Sequence, residues 1–167
     1  MKVTKHKSVL TGFLCSAILL ATPTVAQEIV SPDAVQFSDS YTIETPLTTE
    51  FPDPFRGLEV FINRKLGNCV ACHTNFDVAA MQFLGEIGPN LDWTGDRMTE
   101  GEIRAILVDP KIARNPDTVM PAFYTPREGF RTMEAFKGKT ILTPIQVEDL
   151  VAYLSSLSQE TGFDGVD

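Results

Sequence analysis

Histidine is nearly missing from this chain: of 167 residues only His6 and His73 carry an imidazole. Cysteine is close behind, with Cys15, Cys69 and Cys72, and tryptophan occurs once, at Trp93. A structural zinc site needs four Cys, His or carboxylate ligands in paired spacing, and this inventory does not supply them. Positive charge is also short. There are 14 Lys+Arg against 22 Asp+Glu, a net charge of −8. Such a balance argues against nucleic acid and anionic lipid as partners and suits a basic partner surface. No apolar run reaches the ~20 residues of a membrane-spanning helix, so no membrane anchor is expected.

The longest apolar stretch, residues 9–20, follows Lys2, Lys5 and Lys7 and ends before Pro23. Small residues then lead to Thr24-Val25-Ala26. These are the three parts of a secretory signal. We expect residues 1–26 to be removed after Ala26, leaving a periplasmic product. Removal takes three lysines and no acid, so the charge deepens from −8 to −11. Cys15 leaves with the signal, and the remaining 141 residues (167 − 26) fit one domain.

Residues 27–53 contain Pro32, Pro46 and Pro52 and little helical periodicity. They read as an extended N-terminal arm with a short strand near residues 40–43. The arm is either a disordered tail or a segment laid on the domain or on a partner. From residue 54 to 167 the pattern is all-α. Phe55, Leu58, Val60, Phe61 and Ile62 predict a first helix ending at Gly67. A capping box at Thr99 to Glu102 starts a second, which Asp109-Pro110 stops. Thr143, Pro144 and Gln146 open a last helix whose stripe is Val147, Leu150, Val151, Leu154 and Leu157. The loops between are long and rich in Gly and Pro, as expected where a chain encloses a cofactor.

Cys69-Val70-Ala71-Cys72-His73 is the Cys-x-x-Cys-His pattern of covalent haem c attachment. Two thiols three residues apart match two vinyl groups on one porphyrin edge, and the next residue turns an imidazole toward the iron. A thioredoxin-like pair belongs beside a βαβ pattern, which is absent, and a disulfide leaves His73 unexplained. His73 is therefore the expected axial metal ligand. No second histidine survives processing, so the other ligand falls to Met81, Met98, Met120 or Met133. Met120 is favoured because Pro121 extends its backbone within an irregular loop. The plain alternative for any one methionine is flexible core packing. Gly88-Pro89 reads as a turn, and a backbone carbonyl there could accept the proton of His73 Nδ1. Arg104, Lys111, Arg114, Arg127 and Arg131 read as solvated surface charges, some of them available to haem propionates or a partner. Trp93 reads as core packing, or as an indole donor to a propionate.

Gly57-x-x-x-Phe61, the Cys69–His73 motif, Gly88-Pro89-Asn90-Leu91, the Met120 loop and Leu150-x-x-Tyr153 together resemble class I cytochromes c. That resemblance implies first and last helices crossing in contact, support of the haem histidine by the Pro89 carbonyl, and closure of the other face by Met120. A narrower resemblance is to the SoxX family, the monohaem cytochrome subunits of the SoxAX complex of thiosulfate oxidation. It is carried by Ser31-Pro32-Asp33-Ala34-Val35, Asn63-Arg64-Lys65-Leu66-Gly67-Asn68, Val119-Met120-Pro121-Ala122-Phe123-Tyr124, residues 137–143 and residues 147–154.

The SoxX resemblance implies a heterodimer with a SoxA-type cytochrome that conjugates thiosulfate to a cysteine of a SoxYZ-type carrier, an L-cysteine S-thiosulfotransferase. This chain would be its electron-transfer subunit, passing electrons to a downstream acceptor. The residues fit that division of labour: with Cys69 and Cys72 bonded to haem, no thiol is left for sulfur transfer. The alternatives are a freely diffusing periplasmic monohaem cytochrome c and the cytochrome subunit of another sulfur-compound dehydrogenase.

Overall fold

The computed structural model describes residues 28–126, 132–134 and 137–159. The expected signal, residues 1–26, lies outside them, as do Arg127 and Arg131. Among the described residues there are five α-helices and no strand longer than the single bridge between Ile29 and Thr48. No helix among them is long and apolar enough to cross a membrane.

The frame is made by α1, Pro54–Ile62, and α5, Pro144–Ser156. Asp53 caps α1 through its carboxylate on the Phe55 amide. Thr143 and Gln146 close a reciprocal capping box on α5, which satisfies two amides that a helix start leaves open. The two helices meet where Gly57 removes the side chain: a Cβ there would overlap the Asp149 carbonyl and lie 2.6 Å from Tyr153 Cβ. One turn on, the Phe61 and Tyr153 rings pack edge to face at 5.5 Å. Asp149, buried in the crossing, accepts two bonds from the Arg56 guanidinium and one from the Asp53 amide.

Helix α1 ends at Ile62, five residues before Gly67, where the sequence pattern runs out. The reason is local. The Asn63 side chain accepts the Lys65 amide and its carbonyl accepts those of Leu66 and Asn68, so a turn competes with the helix. Past the haem motif come α2, Thr94–Arg97, and α3, Glu100–Val108, the latter with the Thr99–Glu102 capping box. Asp109 ends α3 and at once caps α4, Pro110–Ala113, by accepting the Lys111 amide.

The arm is part of the domain. Ile43 and Leu47 are fully buried and join the core, which continues through Val60, Phe61, Leu107, Leu142 and Leu150. The expected strand near residues 40–43 is instead a turn. Ser38 accepts the Tyr41 amide, and Tyr41 takes the left-handed conformation at φ 59°. Arg104 is not a surface charge either: it is 2% exposed and bonded to Glu148 and to the Ile43 carbonyl. Trp93 is 45% exposed, so core packing is not its role.

Candidate haem site

The Cys-x-x-Cys-His segment is wound into one helical turn. Asn68 enters it in the left-handed conformation (φ 49°), which asparagine tolerates, and Cys69–Ala71 form a 3-10 turn. The amides of Cys72 and His73 both donate to the Cys69 carbonyl, at 3.0 and 2.9 Å. Residues three and four apart share one side of such a turn, so both thiols and the imidazole flank one cleft.

That cleft is a cavity of about 510 Å³ continued by a second of about 360 Å³. Cys69, His73, Pro89, Thr118 and Met120 line both lobes, and Cys72 lines the smaller. Phe61, Leu91, Ile103, Leu107 and Leu154 make the larger lobe apolar, with α1, α3 and α5 all contributing walls. Size and lining are those of a cofactor site.

The imidazole is held from behind. His73 Nδ1 donates to the Pro89 carbonyl at 2.8 Å, which in the neutral ring places the lone pair on Nε2, the nitrogen that can bind a metal. The segment bearing Pro89 is laid along the motif by the Gly88 amide on the Cys72 carbonyl and the Leu91 amide on the Thr74 carbonyl. Gly88 is required by close approach: a Cβ there would overlap the His73 ring. Burial pushes the Cys69 thiol up to about 12. It is therefore a neutral thiol in an apolar wall, unlike the thiolate of a nucleophile or a zinc ligand. No group of three or more His, Cys, Asp or Glu that could hold a bare metal ion occurs among the described residues.

Cys69, Cys72, His73, Pro89 and Met120 thus come together around one cleft. Met81 and Met133 do not line it and are 42% and 68% exposed. Met98 does line it, in the larger lobe only, although its position just ahead of a helix cap carries no sign of this. Its sulfur accepts a long contact from Arg114 at 3.9 Å. Two cations, Arg97 and Arg114, lie on the same wall, and Arg97 is steadied by the Asp92 carbonyl at 2.7 Å. Arg114 belongs to the basic residues that the sequence singles out; Arg97 does not.

A helical frame closed by the crossing of its first and last helices, with a Cys-x-x-Cys-His turn opening on an apolar cleft, defines a c-type cytochrome. The chain belongs to the cytochrome c family, whose model matches residues 56–158. The crystal structure of SoxXA from P. pantotrophus is similar, with 35% identity and a TM-score of 0.70, over 77% of this chain and 98% of that chain. None of the curated proteins matches this chain. The family match and the SoxXA likeness together support a SoxX-type cytochrome whose cofactor is a covalent haem c and whose work is electron transfer. The cleft's volume, its apolar walls and its thiol edge fit that group.

Proposed function

We propose that this chain is the electron-transfer subunit of a periplasmic SoxAX-type complex, in which a SoxA-type partner conjugates thiosulfate to a cysteine of a SoxYZ-type carrier. The observation that carries this reading is the placement of His73, locked by Pro89, and of Met120 on one cleft beside two cysteines. Haem c bound there supplies a one-electron couple. His73 Nε2 and the Met120 thioether are the residues that would hold the iron of such a haem, and with both engaged it would have no position left for substrate. A His/Met pair also raises the reduction potential, which favours accepting electrons from a sulfur donor. Cys69 and Cys72 become thioethers, and Cys15 departs with the signal. The chain then has no thiol to carry a sulfur group, and that chemistry belongs to the partner. Arg97 and Arg114 stand on the cleft wall, where they would supply cationic donors to the haem carboxylates. An acidic surface, −11 after processing, suits a partner with a basic face.

The experiment compares the purified chain, its partner and the mixture for thiosulfate-dependent haem reduction and for mass addition to the carrier cysteine. Both signals are expected in the mixture alone. Carrier modification by this chain without a partner would place the active site on this subunit and overturn the proposal.

A further inference from the structure

The loop that carries Met120 has little of its own to hold it. Between the end of α4 at Ala113 and Met120 it forms only turns: the Asn115 amide on the Pro110 carbonyl, the Thr118 amide on the Asn115 carbonyl, and the Asp117 amide on the Asn115 side chain. Asn115, Pro116 and Asp117 are exposed, and Val119 is 81% exposed. A loop with so few buried contacts opens at low cost. One side chain crosses it. The Lys111 ammonium, projecting from α4, donates to the Thr118 carbonyl at 2.6 Å and to the Pro116 carbonyl at 3.2 Å.

The position of this clamp is specific. Thr118 is the residue whose hydroxyl accepts the Met120 amide at 3.2 Å, and it lines both lobes of the cleft. Lys111 itself is held at its base, because its amide donates to Asp109, a 1% exposed residue at the joint of α3 and α4. A chain of contacts therefore runs from the buried joint through the Lys111 ammonium to the Thr118 carbonyl, and from the Thr118 hydroxyl to the Met120 backbone. Charged donors make the stronger hydrogen bonds, and an ammonium presents three of them to two carbonyls.

We infer that Lys111 is a positioning residue for the axial methionine: its ammonium holds the 116–118 turn closed and so keeps the Met120 thioether on the cleft. This rests on Met120 being the ligand proposed above. Loss of the clamp would let the loop swing out and leave the iron of a bound haem open to external ligands. Lys111 lines neither lobe of the cleft, so its effect runs through the loop.

The test uses the full holoprotein and imidazole as the probe, titrated against the ferric form and read by absorbance, with the long-wavelength sulfur-to-iron band as a second signal. Lys111→Met is expected to tighten apparent imidazole binding about tenfold, as expected for one charge-assisted hydrogen bond. It should also weaken the band while leaving far-ultraviolet dichroism unchanged. Lys111→Arg, which keeps a charged donor, should restore both signals. Should Lys111→Met not accumulate as holoprotein, Lys111→Gln makes the same test. Wild-type imidazole affinity in a folded Lys111→Met or Lys111→Gln protein overturns the clamp. Met120→Ala keeps the two ideas apart. If it leaves the band intact, the ligand assignment fails. If it removes the band while the Lys111 variants stay normal, only the clamp fails.

Discussion

Arg104 and Glu148 pair inside the protein, with Nε to Oε1 and the terminal guanidinium nitrogen to Oε2 both at 2.8 Å and each residue at most 3% exposed. The pair also fixes the arm. Arg104 donates to the Ile43 carbonyl at 2.9 Å, and Glu148 accepts the Leu47 amide at 2.8 Å. Two buried charges, 44 residues apart in sequence, thus join α3, α5 and the segment ahead of α1.

Breaking this pair from one side strands a charge. Glu148→Ala is expected to lower unfolding stability by about 3–5 kcal/mol, the usual cost of an uncompensated buried ion. The double variant Arg104→Met/Glu148→Leu removes both charges and should recover most of that loss. Denaturant midpoints of the three proteins check this, and a double variant as weak as Glu148→Ala would rule out a stranded charge as the cause. The arm itself is not a removable module, because its deletion strips Ile43 and Leu47 from the core. Its outward aromatic side chains are Tyr41 and Phe51, 59% and 91% exposed. Substituting these two is the way to ask whether the arm meets a partner.

Close approach decides two glycines. Gly57→Ala puts a methyl group against the Asp149 carbonyl and Tyr153 Cβ, which must part the crossing helices. A loss of about 1–3 kcal/mol is expected, the range for overpacking. Gly88→Ala puts it into the His73 ring, so the expected damage is to the haem rather than to the frame. Holoprotein yield should fall and the ferric spectrum shift, with helical dichroism preserved in whatever folds. Normal spectra in Gly88→Ala would show that the histidine is not held as described.

Much of the fold and site is legible in the sequence because it is local. The Cys-x-x-Cys-His spacing and the Thr99 and Thr143 capping boxes each sit within five residues, where hydrogen-bond geometry follows from sequence order. Arg104 reads as a surface charge because its partner Glu148 lies on another helix, and no neighbour of Arg104 announces a buried ion pair. The arm's burial is hidden for a like reason: Ile43 and Leu47 lack strand or helix periodicity and are buried through tertiary contacts alone. Met98 reaches the cleft only because α2 ends and α3 begins on the same wall, a placement set by packing.

Tyr153 ties α5 to the loop after the haem motif. Its hydroxyl receives the Asn75 amide at 3.0 Å and contacts Asp77 at 3.1 Å. Burial, above all, raises the phenol above its ordinary value, and the Asp77 carboxylate adds to this while the Asn75 amide opposes it. The folded chain therefore keeps a proton that the unfolded chain releases above about pH 10. That contribution is fully present below about pH 10 and is lost as pH rises toward the folded value. Thermal midpoints are expected to fall on the alkaline side, and less steeply in Tyr153→Phe. The slope is not abolished, since burial also raises Tyr124. At neutral pH Tyr153→Phe should cost about 1–3 kcal/mol, because the Asn75 amide loses its buried acceptor. An alkaline slope unchanged in Tyr153→Phe would assign the effect elsewhere.

Met98 and Met120 both line the cleft, and one pair of substitutions separates them. Met120 borders both lobes, as His73 does, and its backbone is tied through Thr118 to the loop that Pro121 continues in extended form. Met98 borders one lobe, closes α2 as its C-cap, and has its sulfur turned to Arg114. A thioether that faces a guanidinium, even at the 3.9 Å of this long contact, is less well placed to bind iron than one that borders both lobes. Met120→Ala should therefore abolish the long-wavelength sulfur-to-iron band and lower the reduction potential by about 0.1 V or more, within the ~0.8 V that axial ligands span. Met98→Ala should keep the band and shift the potential by much less, since it removes packing and an arginine contact but no ligand. Redox titration of both variants, followed by absorbance, reads the two signals together. The reverse pattern, with the band lost in Met98→Ala and kept in Met120→Ala, would assign the sixth position to the residue beside α3 and leave the 114–120 loop without a ligand to position.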